Sequence, residues 1–353
     1  MALRHRSPLD SILSSRVTGS ALGAAERLAR WPAGRLTVLT YHRIDDVRPD
    51  GRDPSLISAT PAEFEHHVSF LQEHCELVSI SDVAKARAGI TALPERAVLL
   101  TFDDGVDDFR SAALPILRRH GAAAVVFVPT GFVDDPAAWF WWDAVYAAIV
   151  TTDRKVVDSL VGPLTLGSSE DRAIKVRHLR AELKERPWRE LLDHVRRLCD
   201  DLDVEPPPAN VMSWATLRDL ARQGIDVCPH TRTHPHLDQV PLDVACHEIS
   251  GSIDDVQAQL GIVPQGFAYP SGRWSAPVAN LVAECGVPLA FTTQRGSHRI
   301  MFEDPLLIRR INVSRRTGFH AARAFMHPWA DSITDRHHEA ARGSTPERRV
   351  MWR

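Results

Sequence analysis

The stretch Ala97-Val98-Leu99-Leu100-Thr101-Phe102-Asp103-Asp104-Gly105 decides how this chain is read. Its first six residues form a continuous apolar run, the pattern of a strand buried on both faces. That strand runs straight into two adjacent carboxylates. Such a pair is costly unless something offsets its repulsion, and a cation beside it would do so. Asp-Asp-Gly can equally be a turn that caps the following helix, so the stretch must be weighed with its surroundings.

Outward from it, strand and helix patterns alternate from residue 36 onward. Leu36–Tyr41 precedes it as a strand. Thr60-Pro61-Ala62-Glu63 then reads as a capping box with Pro at the first helical position, opening a helix over 61–74. Leu77–Ile80 reads as a short strand, with Ser81-Asp82 starting the next helix. A helix over 107–120 ends at Gly121, and Ala123–Val128 is the next strand. After a helix over 213–223, further strands are expected at Ile225–Pro229, Gly266–Tyr269, Leu289–Thr293 and Leu306–Asn312, with helices at 241–260 and 276–285 between them. This order implies parallel strands joined by crossovers. Seven or eight such units favour a barrel, whose reactive side chains sit at the C-terminal strand ends. Residues 151–210 break the rhythm and read as a helical insertion, with helices near 170–185 and 187–202 ending at Pro206-Pro207-Pro208. Residues 1–35 read as a helical arm, 36–330 as the barrel and 331–353 as a polar tail.

Composition narrows the function. Hydrophobic residues at 44% and charged residues at 25% are globular values and exclude a disordered chain, a coiled coil and a collagen. Lys+Arg 42 against Asp+Glu 45 is too balanced for a protein held by nucleic-acid phosphates. The five cysteines (75, 199, 228, 246, 285) form no CxxC pair, which argues against a disulfide framework and a thiolate zinc site. No apolar run is long enough to span a membrane. The N-terminal segment is broken by Asp10, Arg16 and Glu26, unlike the uninterrupted core of a secretory signal. The expectation is a cytoplasmic chain or one resting on a membrane surface.

A second strand end carries chemistry: Val227-Cys228-Pro229-His230-Thr231-Arg232-Thr233-His234-Pro235-His236. Among 17 His, random spacing alone supplies about one HxxxH pair, so context must carry the argument. Pro229 and Pro235 exclude a long helix through the pair, and it follows an apolar strand on the expected catalytic face. One carboxylate with two imidazoles suits a divalent transition metal that keeps open positions. Such a metal polarises a carbonyl and acidifies its water, while the second carboxylate is placed to take that water's proton. The chemistry expected is amide or ester hydrolysis.

TYHR at the first strand, LTFDDG, HTRTHPHL and FAYPSG, in this order, resemble the polysaccharide deacetylase family (the NodB homology domain, carbohydrate esterase family 4) over about residues 36–312. The resemblance implies a distorted (β/α)7 TIM-like barrel and metal-dependent removal of acetyl groups from N-acetylated sugars. It implies Asp103 as general base, with Asp104, His230 and His234 as ligands of a divalent metal, usually Zn2+. The backbone N–H of Ser271 matches the oxyanion donor, and Tyr269 in the same segment is a candidate substrate contact. Two features depart from the family pattern. Ala268 stands where an Arg commonly orients the base; Arg309 or Arg310 could substitute. The late Leu-x-His that supplies a general acid is replaced by Ile311-Asn312-Val313, which leaves His42 as first substitute, ahead of His298 and His320. These departures resemble the exopolysaccharide-associated branch. Trp139, Trp142 and Tyr146 share a helical face that suits core packing ahead of a sugar ring, and Trp274 is the better single candidate for a sugar contact, with Trp139 beside it. Arg310 is a further candidate for touching substrate. The reading is a deacetylase of an N-acetylhexosamine polysaccharide or its lipid-linked precursor. An amide hydrolase of a small non-sugar substrate and an inactive glycan-binding barrel are its competitors.

Overall fold

In the computed structural model, residues 33–46, 51–315 and 318–327 are described. The expected arm up to residue 32 and the expected tail lie outside them. Arg35–Tyr41 is the central strand. It pairs in parallel with Ala97–Phe102 on one side and with Ile311–Asn312 on the other. Ala97–Phe102 pairs onward with Val125–Val128, and that strand with Asp226–Pro229, again in parallel. From the other direction, Phe267–Ala268 pairs with Ala290–Phe291, which bridges to Ile308 just ahead of Ile311. These seven strands are the staves of a distorted barrel. Between Asp226–Pro229 and Phe267–Ala268 the described residues form no ladder. There the imidazole of His230 reaches across, its Nδ1 2.7 Å from the Ala268 carbonyl oxygen.

Strand periodicity explains why the defining run is apolar throughout. Val38, Leu99, Val125, Phe127 and Phe291 pack into one cluster inside the barrel. Their neighbours Leu39, Val98, Leu100 and Val126 point the other way and are covered by Phe64, Leu71, Leu117 and Leu220 of the surrounding helices. Both faces are therefore buried, as the sequence predicts.

The helix Pro61–His74 begins with the expected Thr60–Glu63 capping box. The next one starts earlier than expected. Ser79 and Asp82 form a reciprocal cap, so the helix is Ile80–Arg87 and the strand before it shrinks to Glu76–Leu77. Helices Trp141–Thr151, Ser169–Leu183 and Trp188–Leu202 make a third cluster around Val145, Ile149, Leu179, Leu191 and Val195. A small antiparallel pair, Val156–Val157 with Leu164–Thr165, precedes the second of these helices; two-residue strands leave no alternation to read. The first helix is held to the second by Arg172, whose guanidinium donates to the Ile149 and Thr152 carbonyls at 2.6 and 2.8 Å. Among the described residues no helix is long and apolar enough to cross a membrane.

Candidate metal centre and active site

Ladder geometry delivers both chemical segments to one end of the barrel. The Asp103 N–H donates to the Tyr41 carbonyl and the His230 N–H to the Val128 carbonyl, each at 2.9 Å. The chain leaves pairing just beyond them, where side chains can converge. Asp104 Oδ1 stands 3.5 Å from His234 Nε2 and 3.9 Å from His230 Nε2. One ligand atom from each of the three residues lies within 4.8 Å of the others, and all three are buried. The Ala268 carbonyl accepts the His230 Nδ1 proton, which leaves the Nε2 lone pair turned toward Asp104.

Electrostatics favour a cation at this point. Burial, then the charge of Asp103, pushes the Asp104 carboxyl up to about 8. Burial pulls both imidazoles below their usual range, His234 furthest. Two neutral imidazoles and a carboxylate ionised only against resistance form a donor set that a divalent metal would satisfy. The residues present therefore fit the implied metal.

The three turns that frame the site are strained. Asp104, Thr231, His234 and Ser271 are four of the eight non-glycine residues with positive φ among those described. Each costs about 1–3 kcal/mol and persists only where surroundings over-determine it. For the His230–His234 segment Glu248 supplies that constraint. Its buried carboxylate accepts from the Arg232 N–H, the Thr233 N–H and the Thr233 hydroxyl at 2.7–2.8 Å. Asp255, on the same helix, holds the Arg232 guanidinium at 2.8 and 2.9 Å. Neither acid was legible from motif spacing, because both act from a helix that begins beyond the histidine pair.

Asp103 faces Arg310. Two parallel hydrogen bonds of 2.7 and 2.8 Å join them, and the Arg310 Nε donates to the Thr292 carbonyl. Burial alone would raise the Asp103 carboxyl, but Arg310, with help from His230, overcomes it and holds the group below the ordinary carboxylate value. Arg310 thus takes up the orienting position that Ala268 cannot fill. Arg310 was expected to touch substrate; instead it is 2% exposed, with three of its N–H groups committed to Asp103 and the Thr292 carbonyl. Arg309 points elsewhere, to Glu303 at 3.7 Å.

The other expected residues separate clearly. His42 follows the central strand at its C-terminal end, feels the charges of Asp103, Arg310 and His230, and is pulled down to about 4 by burial. His298 pairs with Leu36 at the opposite end of that strand, and His320 sits exposed on the helix Gly318–Met326. Of the three histidines, His42 is the one at the barrel end that carries Asp103 and His230. Ser271 lies in a tight turn with φ 54°, and its hydroxyl is 3.3 Å from His236 Nε2. Gly272 beside it has φ +67°, and a Cβ there would collide with Thr293. Tyr269 is a correction: its ring is fully enclosed with Phe267, Leu237 and Val278, so it offers substrate no face. Trp274 is half-buried against that same cluster. Trp139 is half-buried and lines a cavity that reaches His234.

A chain of ion pairs ties the barrel mouth to the added helices. Arg43, from the TYHR segment, grips Asp143 at 3.2 and 2.5 Å. Asp143 also accepts from the Asp53 N–H, and Asp53 pairs with Arg180 on the helix Ser169–Leu183.

Comparison with known proteins agrees with this geometry. Over 109 residues the chain is 34% identical to the poly-β-1,6-N-acetyl-D-glucosamine N-deacetylase of Escherichia coli K12; the match covers 30% of this chain and 16% of that protein. In structure, the Streptococcus pyogenes deacetylase PplD in complex with acetate superposes with a TM-score of 0.54 at 22% identity, over 83% of this chain and 99% of its own. The Aggregatibacter actinomycetemcomitans de-N-acetylase superposes with a TM-score of 0.55 at 17% identity, over 82% and 99%. These two share the fold. Residues 91–290, more than half of the chain and the part that carries all three metal-site residues, match the family described as polysaccharide deacetylase, so this chain belongs to the polysaccharide deacetylase family.

Proposed function

We propose that this protein removes N-acetyl groups from a polysaccharide containing N-acetylhexosamine, or from its lipid-linked precursor. The observation that carries this reading is the juxtaposition of the buried Asp104–His230–His234 donor set with a separate carboxylate, Asp103, locked to Arg310. The named activity of the matched E. coli protein supports the substrate class, although the match spans only 16% of that protein. Asp104, His230 and His234 would hold the metal, with Zn2+ our choice. Bound there, a divalent cation supplies Lewis acidity toward the acetamide carbonyl and lowers the pKa of water.

The chain's own groups do the rest. Asp103, kept ionised by Arg310, accepts the proton of the attacking water. The Ser271 N–H donates to the oxygen that becomes negative in the tetrahedral intermediate. His42 delivers a proton to the departing amine nitrogen. Because burial holds its pKa near 4, the resting ring is neutral; the proton it passes to the amine is the one that Asp103 takes from the attacking water, which returns both groups to their starting states. The products are acetate and a free amino sugar.

The test is acetate release from N-acetylglucosamine oligomers by metal-replete protein. Chelation should abolish it, and added Zn2+ should restore it. A chelated protein that works at the full rate would end the proposal. A His42→Gln variant should keep one metal per chain while acetate release falls about 10²- to 10⁴-fold. An unchanged rate would remove His42 from the reaction.

A further inference from the structure

The imidazole of His236 lies just past the metal-site histidines and takes no part in the steps derived above. It is fully buried, boxed between the rings of Trp188 and Trp141 at centroid distances of 5.3 and 6.3 Å. Both of its nitrogens are engaged. Nδ1 is 3.1 Å from the Gln239 side-chain oxygen, which can only accept, so Nδ1 carries the proton. Nε2 is then the bare nitrogen of the neutral ring, and the Ser271 hydroxyl donates to it at 3.3 Å. Gln239 carries the connection onward, its Nε2 donating to the Lys184 carbonyl at 2.8 Å.

The chemistry of helix ends explains why the connection stops there. Lys184 caps the C-terminus of the inserted helix Ser169–Leu183, where carbonyls lack partners within the helix. The same carbonyl accepts a second donor, Arg273 Nη1 at 3.0 Å, from the residue that ends the turn Pro270–Gly272. Arg273 is held in turn by Asp238 at 2.8 Å. The turn is thus gripped twice, by His236 at Ser271 and by Lys184 at Arg273. It needs the grip, because Ser271 sits inside it at φ 54° and ψ 12°, a backbone state that persists only where the surroundings impose it. The Ser271 carbonyl accepts from the Thr293 hydroxyl at 3.1 Å. Its N–H meets no acceptor among the described residues. One residue therefore has its hydroxyl and carbonyl tied down and its backbone donor available.

We propose that His236 is a positioning residue: it anchors the Ser271 hydroxyl, through Gln239, to the Lys184 carbonyl, so that the end of the inserted helix fixes the backbone donor for the developing oxyanion. This rests on the deacetylase reading above and adds to it what holds the donor in place. Removing an oxyanion donor outright costs about 10²–10³ in rate. A misplacement of about 1 Å can already cost about 10²-fold.

Three variants test the connection. His236→Phe keeps a ring between the two tryptophans and removes both hydrogen bonds. His236→Gln keeps a side-chain oxygen that can accept from Ser271. Ser271→Ala removes the hydroxyl and keeps the backbone N–H. For acetate release from N-acetylglucosamine tetramer by metal-replete protein, kcat should fall about 10- to 100-fold in His236→Phe and in Ser271→Ala, with KM changed by less than about twofold. Both should retain one metal per chain. Their double variant should lose no more than either alone. His236→Gln should recover most of the rate, because the turn needs an acceptor and not a proton carrier. Gln239→Leu and Ser271→Ala, at half-buried positions, carry the test if His236→Phe does not fold.

A full kcat in His236→Phe or Ser271→Ala overturns the proposal. So does an equal loss in His236→Gln and His236→Phe, or a loss of metal, which would assign His236 to the ligand segment instead. A readout without turnover separates all this from the deacetylase reading. With serine amides isotope-labelled, the Ser271 cross-peak, identified by its absence in Ser271→Ala, should move in His236→Phe and return toward its place in His236→Gln. A peak that stays put overturns the positioning even in an active enzyme. Peaks that move as expected in a protein that releases no acetate from any glycan sustain the anchoring and end the deacetylase reading.

Discussion

Replacing Asp104 by alanine is expected to strip the protein of divalent metal and to lower acetate release at least a thousandfold. Asp104 is the only anionic member of its donor set, so its loss leaves two neutral imidazoles to hold a dication. Lewis-acid stabilisation is worth several kcal/mol, and each 1.36 kcal/mol is tenfold in rate. Metal analysis after gel filtration, alongside acetate release, measures both effects. One full equivalent of metal in the variant would dissolve the proposed centre.

Stability should move the other way. In the metal-free folded chain, burial and Asp103 hold Asp104 protonated up to about pH 8, whereas unfolded it ionises near ~3.9. A raised carboxyl contributes stability that is complete below the unfolded value and is lost as pH rises through the folded one. Metal-free wild type should therefore lose Tm between about pH 4 and pH 8 relative to metal-free Asp104→Ala, which lacks the group. With metal bound the order reverses, because ligand binding to the native state stabilises it. Parallel melting curves of the two metal-free proteins across that window would contradict the electrostatic account of the site.

The two strand ends were legible because each is a local signal: an apolar run broken abruptly by side chains that are costly to bury. Asp103, Asp104, His230 and His234 could be named on that ground, and the parallel crossovers implied that they meet. What escaped was of two kinds. The strands Phe267–Ala268 and Ile311–Asn312 are only two residues long, too short for any periodicity to register, so their bounds were overdrawn. Glu248 and Arg310 act across the fold. Arg310 joins Asp103 over 207 positions, and no spacing rule distinguishes it from Arg309 beside it. The choice is made by barrel register, which points Arg310 inward to Asp103 and the Thr292 carbonyl and leaves Arg309 at Glu303. Tyr269 was misassigned for a related reason. The turn that positions Ser271 packs the preceding ring into the core.

That Arg310–Asp103 pair yields the second large effect. Arg310→Met keeps comparable bulk but strands the Asp103 carboxylate, 3% exposed, without its counter-charge. Breaking one side of a buried pair costs about 3–5 kcal/mol, which urea denaturation of the metal-free protein would read. The companion Asp103→Asn, Arg310→Met double variant should be less destabilised than the sum of its single changes, since neither partner is left charged and alone. Activity separates a positioning role from a merely structural one. In wild type Arg310 outweighs burial and holds Asp103 below the ordinary carboxylate value. Without Arg310 burial prevails and the Asp103 pKa rises. The base works only when ionised, so the acidic limb of kcat/KM for acetate release should move to higher pH in Arg310→Met. Arg310→Lys, which keeps the charge but loses the bidentate fork, should fall between the two. A variant that is destabilised yet retains the wild-type acidic limb would show that Arg310 holds the barrel together without tuning the base.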